Sequence, residues 1–531
     1  MWKRKRTLAR PRTDTSLAVQ NIKKKSPLAN TGHALIASLL IAIIGAGTAL
    51  PAAAQASLPT LGDGSALTTG EERRLGDRII RELYRDPDYI DDPVLVEYVQ
   101  GLWQALLAAA RARGELSPEL DERFAWEVLL GRDRTVNAFA LPGGYLGVHL
   151  GLIGVVATRD ELASVLAHEL SHVTQRHISR LIAQQSRQTP LLVGAMVLAA
   201  LAASKNPGAA QAMMVGGQAV AIQNQLNFSR DMEREADRIG YGLMEPSGFA
   251  PQGFVSMFDK LQQANRLNDN GSWPYLRSHP LTTQRMADMH SRLPPGGAAA
   301  PQPLPPSLEH AMVAARARVL ANPGVDALRL WIAEPQGTGF ASQPAARRAA
   351  GWYTAALASI QLRDFAAART AQAKLDEVVR GDAAAQRQSQ RLAAEIEFAA
   401  GLPEVALQRL PQGSGLRPEL VLRTQALLRV GRPAEVTGAL QTWVATHPHD
   451  ATVWQLLASA WHAQGQPLRA VRAEAESQAA RYDYAAAVDR FKAGQDLARK
   501  SSSAADYIEA SIIDTRLRAM ELLLKEQAAE R

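Results

Sequence analysis

The chain has 531 residues, of which 47% are hydrophobic, so it has enough apolar sequence for two or more domains. Its formal net charge of +7 is uneven, because the segment 1–56 carries nine lysines and arginines against one aspartate. The rest is nearly neutral, at −1, which argues against a nucleic-acid partner. Cysteine is absent, which excludes thiol catalysis and disulfide bonds.

The amino-terminal segment 1–56 has the three parts of a secretory signal peptide. Basic residues precede an apolar run at 34–50, and small residues follow it, ending in Ala54-Gln55-Ala56. We predict cleavage after Ala56 and export, in a bacterium, to the periplasm. The alternative is an uncleaved membrane anchor, which would export the bulk of the chain equally.

Residues 57–293 mix helical periodicity with one hairpin signal. Strand residues at 137–141 and 145–149 flank the turn sequence Pro142-Gly143-Gly144. Residues 294–306 are rich in Pro, Gly and Ala, as in a linker between domains. We predict an α+β domain with a small edge-strand sheet at 57–293, in a chain that is mainly α.

Residues 307–531 are alanine-rich and repeat with a rough period. Turn sequences begin at Arg363, Gly401, Gly431 and Gly465. The intervals between these positions bracket the tetratricopeptide period of about 34 residues. We predict a carboxy-terminal tetratricopeptide-like α-solenoid, although the unit at 420–436 matches poorly. The alternative is an alanine-rich helical bundle without a true repeat.

A further apolar stretch occupies 191–203. As a helix it would rise only about 20 Å, less than the roughly 30 Å hydrocarbon core of a bilayer. With the apolar patch that follows, the segment 191–222 would form either a helical hairpin that touches substrate or a membrane surface, or an ordinary buried helix pair.

The sequence His168-Glu169-Leu170-Ser171-His172 fits the H-E-x-x-H pattern in a helix-compatible run. Helical residues four apart share a face, so His168 and His172 would present two imidazoles to one metal ion. Glu169 lies about 100° further round, where it can reach a water molecule as a general base. The pattern therefore predicts a metallopeptidase; G-x-S-x-G, the serine hydrolase signature, is absent.

A catalytic zinc needs a third protein ligand and an open position. The metzincin pattern would require Gly at 175 and His at 178, where this chain has Gln175 and Ile178. A second helix offers Glu233 instead, with Asp237 one turn later to orient a ligating imidazole. We predict one zinc ion per chain at these ligands.

Two nearby residues are predicted to lie outside the site. His177 is nine residues after His168 and would be on the opposite face of a continuing helix, as a solvated or structural histidine. Glu235 would point away from the metal, as a surface charge paired with the neighbouring arginines.

The segments HELSH at 168–172 and EREAD at 233–237, with NAFALPGG before them and SHPLTTQR after, resemble the gluzincin group that contains HtpX and the CAAX-prenyl endopeptidases. The resemblance implies zinc held by His168, His172 and Glu233, with Glu169 as base. It also implies that Asn137, Ala138, Phe139 and Ala140 lie in an exposed edge strand on which extended substrate adds.

Two further residues match the H-P-x-x-x-x-R element of this group. The resemblance places Arg285 in support of the ligands. His279 would donate to the developing oxyanion, or occupy the fourth zinc position and hold the enzyme latent, or be a capping or core histidine.

An exported member with helical repeats would cleave unfolded or misassembled envelope polypeptides, and its repeats would dock the outer-membrane barrel assembly machinery. The alternative is a chaperone or assembly factor whose protease site is largely latent and which acts by binding a partner through its helical repeats. A purely structural zinc domain is disfavoured, because such sites commonly include Cys and have no need of Glu169.

Overall fold

The structure, a computed structural model, describes residues 67–184, 229–266, 272–292, 306–321, 323–411, 413–500 and 504–529. The predicted signal peptide and the apolar segment 191–222 lie outside the described residues, as does nearly all of the predicted linker. The domain boundaries at 293 and 307 remain predictions. Among the described residues, no helix is both long and apolar enough to cross a membrane.

The first part of the fold contains ten α-helices and four strands among the described residues up to 292. In chain order they are α1 (Thr69–Arg85), β1 (Tyr89–Ile90), α2 (Pro93–Ala112), α3 (Pro118–Arg123), β2 (Glu127–Gly131), β3 (Ala138–Leu141), β4 (Tyr145–His149), α4 (Leu150–Val155), α5 (Arg159–Thr174), α6 (His177–Gln184), α7 (Arg230–Met244), α8 (Gln252–Arg266), α9 (Tyr275–Ser278) and α10 (Thr283–Ser291).

The strands form one sheet in the order β1-β2-β4-β3. Strands β2 and β4 are parallel, whereas β3 and β4 form the predicted antiparallel hairpin, with Leu141 opposite Tyr145. The turn between them needs left-handed backbone at Gly143 (φ 77°) and Gly144 (φ 86°), which glycine adopts without a steric penalty. Strand β3 is therefore an edge of the sheet, as predicted.

Helix α5, which carries the H-E-x-x-H sequence, is buried on all sides. It begins after Thr158, whose hydroxyl accepts a hydrogen bond from the amide of Glu161, and every residue from Asp160 to Thr174 is buried. It packs against α2, α7, α8 and strand β3. The motif therefore lies inside the core, between the sheet and the helices that follow.

The second part of the described chain is all helical. Its α-helices are α11 (Leu308–Leu320), α12 (Val325–Ala333), α13 (Ala345–Gln361), α14 (Phe365–Val378), α15 (Ala383–Ala399), α16 (Pro403–Arg409), α17 (Arg417–Arg429), α18 (Ala434–Thr446), α19 (Ala451–Ala463), α20 (Pro467–Ala479), α21 (Tyr484–Ala498) and α22 (Ala504–Ala529).

Consecutive helices pack against each other in pairs, and the pairs are in contact with their neighbours. The four predicted turns fall between the helices of the pairs and contain left-handed residues: Arg363 (φ 60°), Gly401 (81°), Gly431 (73°) and Gly465 (67°). The α-solenoid class is confirmed. The tetratricopeptide assignment stays a prediction.

Helix α11 joins the two parts. Val313 and Ala317 pack in the core that surrounds α5, whereas Met312, Ala315 and Val319 pack in the first core of the solenoid. One helix thus contributes to two hydrophobic cores.

Three buried or nearly buried arginines of the solenoid also reach the first part. Arg316 bonds Asp92 and Glu395, Arg391 bonds Glu97 and Glu419, and Arg417 bonds Asp91 and Asp450. In each case one acid belongs to the loop or helix around α2, and the other to a later solenoid element. The solenoid is thus fixed to the first part by a row of charge-assisted hydrogen bonds.

Candidate metal centre and active site

His168 and His172 lie one turn apart on α5 and aim at the same point. Their Nε2 atoms are 3.0 Å apart, and the two side chains are almost completely excluded from solvent. This is the convergence that the i, i+4 spacing predicts.

Glu233 reaches the same point from α7. Its Oε2 is 3.5 Å from His168 Nε2, and its Oε1 is 3.5 Å from His172 Nε2. The two helices approach closely at Gly240, where a Cβ would lie 3.1 Å from the carbonyl group of Ala167.

His279, just after α9, completes the group. Its Nδ1 is 3.0 Å from Glu233 Oε1 and 3.3 Å from His168 Nε2. The ring of Tyr275 stacks on its imidazole at a centroid distance of 4.5 Å. The structure thus brings together one nitrogen or oxygen from each of His168, His172, Glu233 and His279, all within 4.8 Å of one another.

The group fits a metal ion in both distance and charge. In a tetrahedron with ligand distances of about 2.1 Å, the edges are about 3.4 Å. Five separations within the group are 3.0 to 3.5 Å, and all four groups lie within 4.8 Å of one another. Three buried carboxylates, Glu169, Glu233 and Asp237, face one buried guanidinium, that of Arg285. A dication would balance this excess of negative charge.

Asp237 and Arg285 contact the clustered side chains. Asp237 Oδ1 lies 3.0 Å from His168 Nδ1, the nitrogen that faces away from the metal position. Arg285 donates two hydrogen bonds to Asp237, at 2.6 and 2.8 Å, and its third nitrogen lies 2.6 Å from Glu233 Oε2. Such contacts fix the orientation of the ligands.

The charges of the ligands are strongly coupled. Burial opposes a cationic His168, but the carboxylates of Asp237 and Glu233 outweigh it and raise its pKa to about 9. Burial and the charge of His168 lower the pKa of His172. Burial acts to raise the pKa of Glu233, yet the imidazoles of His279 and His168 hold it well below its usual range. The carboxylates of this site therefore stay ionised, and they stabilise a positive charge among the ligands, either a proton on His168 or another cation.

Glu169 lies between the ligands and the edge strand. Its Oε2 accepts a hydrogen bond of 2.9 Å from the amide of Ala140, and its Oε1 is 3.3 Å from His279 Nε2. The candidate base therefore contacts both the strand predicted to bind substrate and the histidine predicted to act as donor or latch.

Strand β3 is an edge in its hydrogen bonding, but its residues are not exposed as expected. Asn137, Ala138 and Ala140 are buried, and Phe139 is partly buried. The amide of His149 donates to the carbonyl of Asn137, which makes 137, 139 and 141 the residues whose backbone faces β4. The backbone groups of Ala138 and Ala140 therefore point away from β4. The Ala140 amide is the one that Glu169 binds.

His177 is not where the sequence interpretation put it. It is completely buried, and its Nδ1 is 2.9 Å from His172 Nδ1, while its Nε2 is 3.1 Å from Glu235 Oε2. The sequence predicted a solvated or structural histidine on the opposite face. The face and the solvated alternative were wrong because α5 ends at Thr174, whereas the structural alternative remains. Arg176 then adopts left-handed backbone (φ 52°), which turns His177 back toward His172.

Glu235 likewise differs from expectation. It pairs with Arg180 of α6 at 2.9 Å, as well as with His177, rather than with the arginines beside it in sequence. No local sequence signal indicates this contact, because a left-handed arginine cannot be read from the residue type.

Comparison with known proteins agrees with this geometry. The profile of peptidase family M48 matches residues 103–293, which contain all four clustered residues. Together with the site, this match defines a metalloendopeptidase of the H-E-x-x-H class.

The beta-barrel assembly-enhancing protease of Escherichia coli is 30% identical over 460 residues, which cover 85% of this chain and 90% of that protein. A Vibrio cholerae relative described by the same activity is 36% identical over 298 residues, 54% of this chain and 58% of that relative. The mitochondrial metalloendopeptidase OMA1 of Saccharomyces cerevisiae is 27% identical over 203 residues, 37% of this chain and 55% of that enzyme. The chain belongs to the beta-barrel assembly-enhancing proteases of peptidase family M48.

Proposed function

We propose that the protein is a zinc-dependent endopeptidase of the periplasm that cleaves unfolded or misassembled envelope polypeptides during outer-membrane protein assembly. The observation that carries the proposal is the buried group of His168, His172 and Glu233 with Glu169 beside it. The names of the relatives support the setting in barrel assembly.

The residues divide the work of peptide hydrolysis among them. Zinc held by His168, His172 and Glu233 would supply the Lewis acidity that polarises the scissile carbonyl. Glu169 takes a proton from the attacking water and delivers it to the leaving amine nitrogen. Asp237 and Arg285 hold the ligands in place during both transfers.

Substrate binds as an added strand on β3. The outward backbone groups of Ala138 and Ala140 pair with an extended segment, which favours unfolded chain over any particular sequence. Because the Ala140 amide is bonded to Glu169, an incoming carbonyl that takes this amide releases the base. Strand addition and activation of the base are then the same event.

His279 acts as a latch rather than as an oxyanion donor. Its Nδ1 lies 3.0 Å from Glu233 Oε1 and 3.3 Å from His168 Nε2, and its Nε2 contacts Glu169, so the imidazole fills the position that substrate needs. Peptide hydrolysis requires this imidazole to withdraw. The stack on Tyr275 stabilises the latched form.

The second candidate function is an assembly factor that works through its solenoid, with a largely silent protease site. The extent of the solenoid, from α11 to α22, and the latched position of His279 favour it. In both candidates the repeats dock the outer-membrane barrel assembly machinery, and 191–222 is the segment proposed to touch a membrane surface.

The direct test is metal analysis of the purified full chain, combined with digestion of one outer-membrane barrel protein offered either unfolded or folded in detergent. We expect one zinc per chain and cleavage of the unfolded form only. A chain without zinc would contradict the proposed site. Equal cleavage of both forms would contradict strand addition, and zinc without cleavage would favour the assembly factor.

Replacement of His279 by Ala is expected to raise the initial rate of cleavage several-fold, because it removes the side chain that fills the substrate position. The rate with saturating unfolded substrate measures the effect. His290→Ala, which removes an exposed histidine paired with Asp259, is the matched control and should change nothing. A fall of tenfold or more in His279→Ala alone would show that His279 stabilises the oxyanion instead.

A further inference from the structure

We propose that His177, held by Glu235, is a positioning residue for the metal ligand His172. The inference rests on the proposed function, since it concerns how the site is prepared for a metal ion. It adds to the His168-Asp237-Arg285 arrangement a second support that the sequence did not reveal.

A continuous chain of contacts runs from His172 to the protein surface. His172 Nδ1 is 2.9 Å from His177 Nδ1, and the two rings meet edge to face at a centroid distance of 4.9 Å. His177 Nε2 is 3.1 Å from Glu235 Oε2, which also accepts a hydrogen bond of 2.9 Å from Arg180.

Hydrogen bonding along this chain has one consistent direction. His172 Nε2 faces the other ligands, so its Nδ1 must carry the hydrogen when the ring binds a metal as neutral imidazole. That hydrogen is donated to Nδ1 of His177, and the Nε2–H of His177 is in turn donated to Glu235. The carboxylate therefore selects the tautomer of His172 through a second imidazole.

The two ligand histidines are supported differently, and burial explains the difference. Asp237 contacts His168 directly from a fully buried position, beside the buried carboxylates Glu169 and Glu233. A further buried carboxylate against His172 would add to a cluster that already has excess negative charge, at a large desolvation cost. With His177 between them, the charge of Glu235 lies where its side chain is 31% exposed and paired with Arg180.

The backbone between α5 and α6 maintains this placement. Arg176, in its left-handed conformation, donates to the buried carboxylate of Glu72 at 2.9 Å and to the carbonyl of Leu67. A non-glycine residue is strained in this region and persists only when its surroundings hold it. These contacts stabilise the turn at Arg176, which places the His177 ring against the His172 ring.

The test compares full-length His177→Ala, His177→Gln, Glu235→Ala and a control, His310→Ala. Gln can accept from His172 with its amide oxygen and donate to Glu235 with its amide nitrogen. His310 is as completely buried as His177 but bonds Tyr98 and the carbonyl of Val156, and it is not one of the clustered groups. Zinc affinity by chelator competition and the visible spectrum of the cobalt-substituted protein are the readouts.

We expect His177→Ala to weaken zinc binding by about 10- to 100-fold and to alter the cobalt spectrum, with most of the loss restored in His177→Gln. Glu235→Ala, at a partly exposed position, should also weaken zinc binding. It replaces His177→Ala as the test variant if His177→Ala fails to fold. His310→Ala should keep wild-type affinity and spectrum.

Wild-type zinc affinity in His177→Ala would overturn this inference but not the proposed function. The same holds for Glu235→Ala if it replaces His177→Ala. Loss of affinity in His310→Ala equal to that in His177→Ala would also overturn it. A wild-type chain that binds neither zinc nor cobalt would instead overturn the proposed function.

Discussion

Glu169→Gln is expected to lower kcat for peptide hydrolysis by about 10²- to 10⁴-fold while zinc stays bound. Gln has nearly the same shape and keeps an oxygen that can accept the hydrogen bond from the Ala140 amide. It cannot take a proton from water at neutral pH, so only the chemical step is lost. Glu169 is completely buried and is not one of the clustered ligand groups, so the metal should remain.

The measurement is single-turnover cleavage of an unfolded polypeptide, together with zinc content. Glu161→Gln is the matched control, since Glu161 is a buried glutamate on the same helix that bonds Lys260 and the Ala157 amide instead. Glu161→Gln should retain most of the activity. Undiminished cleavage by Glu169→Gln would remove Glu169 from the mechanism, and parallel loss of zinc would make it a ligand rather than a base.

Arg316→Met is expected to destabilise the full chain by about 3–5 kcal/mol, because it leaves the buried carboxylate of Asp92 and the partly buried carboxylate of Glu395 without their cation. Arg316 donates two hydrogen bonds to Asp92, at 2.7 and 2.6 Å, and others to Glu395 at 2.9 Å and Tyr353 at 3.1 Å. Its side chain is only 6% exposed. Burial raises the pKa of Glu395 even with the Arg316 guanidinium beside it. Removal of the guanidinium makes the ionised form of this carboxyl still less favourable.

Urea unfolding followed by circular dichroism measures this loss, with Arg432→Met as the control. Arg432 makes an exposed i, i+3 pair with Glu435, and exposed pairs contribute little, so its midpoint should match the wild type. A midpoint for Arg316→Met that equals the control would show that the contacts with Asp92 and Glu395 do not fix the solenoid to the first part. Two separate unfolding transitions in the wild type would likewise show that these contacts do not join the two parts into one unit.

The clustering of the candidate ligands could be predicted because it follows from helical spacing. His168 and His172 share a face by periodicity, and Glu233 with Asp237 repeats that spacing on a second helix. The hairpin could be predicted because its turn needs the two glycines that the sequence supplies. These features depend on local rules that act over a few residues.

The features that were missed depend on contacts distant in sequence or on an unusual backbone. His177 was misplaced because Arg176 ends the regular helix geometry without a glycine to signal it. Arg316 and Asp92 are 224 residues apart, and nothing near either one indicates the other. The burial of β3 and the bond from Ala140 to Glu169 likewise arise only when separate elements assemble.

The shared helix α11 limits how far this protein is modular. Because Val313 and Ala317 belong to the peptidase core while Met312 and Val319 belong to the solenoid, a cut before Leu308 would remove apolar side chains that cover the peptidase. In a chimera that exchanges solenoids between relatives, α11 should therefore come from the same parent as the peptidase part. Arg316 and Asp92 would then come from the same protein. Recombination between such genes is expected to be tolerated after this helix rather than at the proline-rich segment before it.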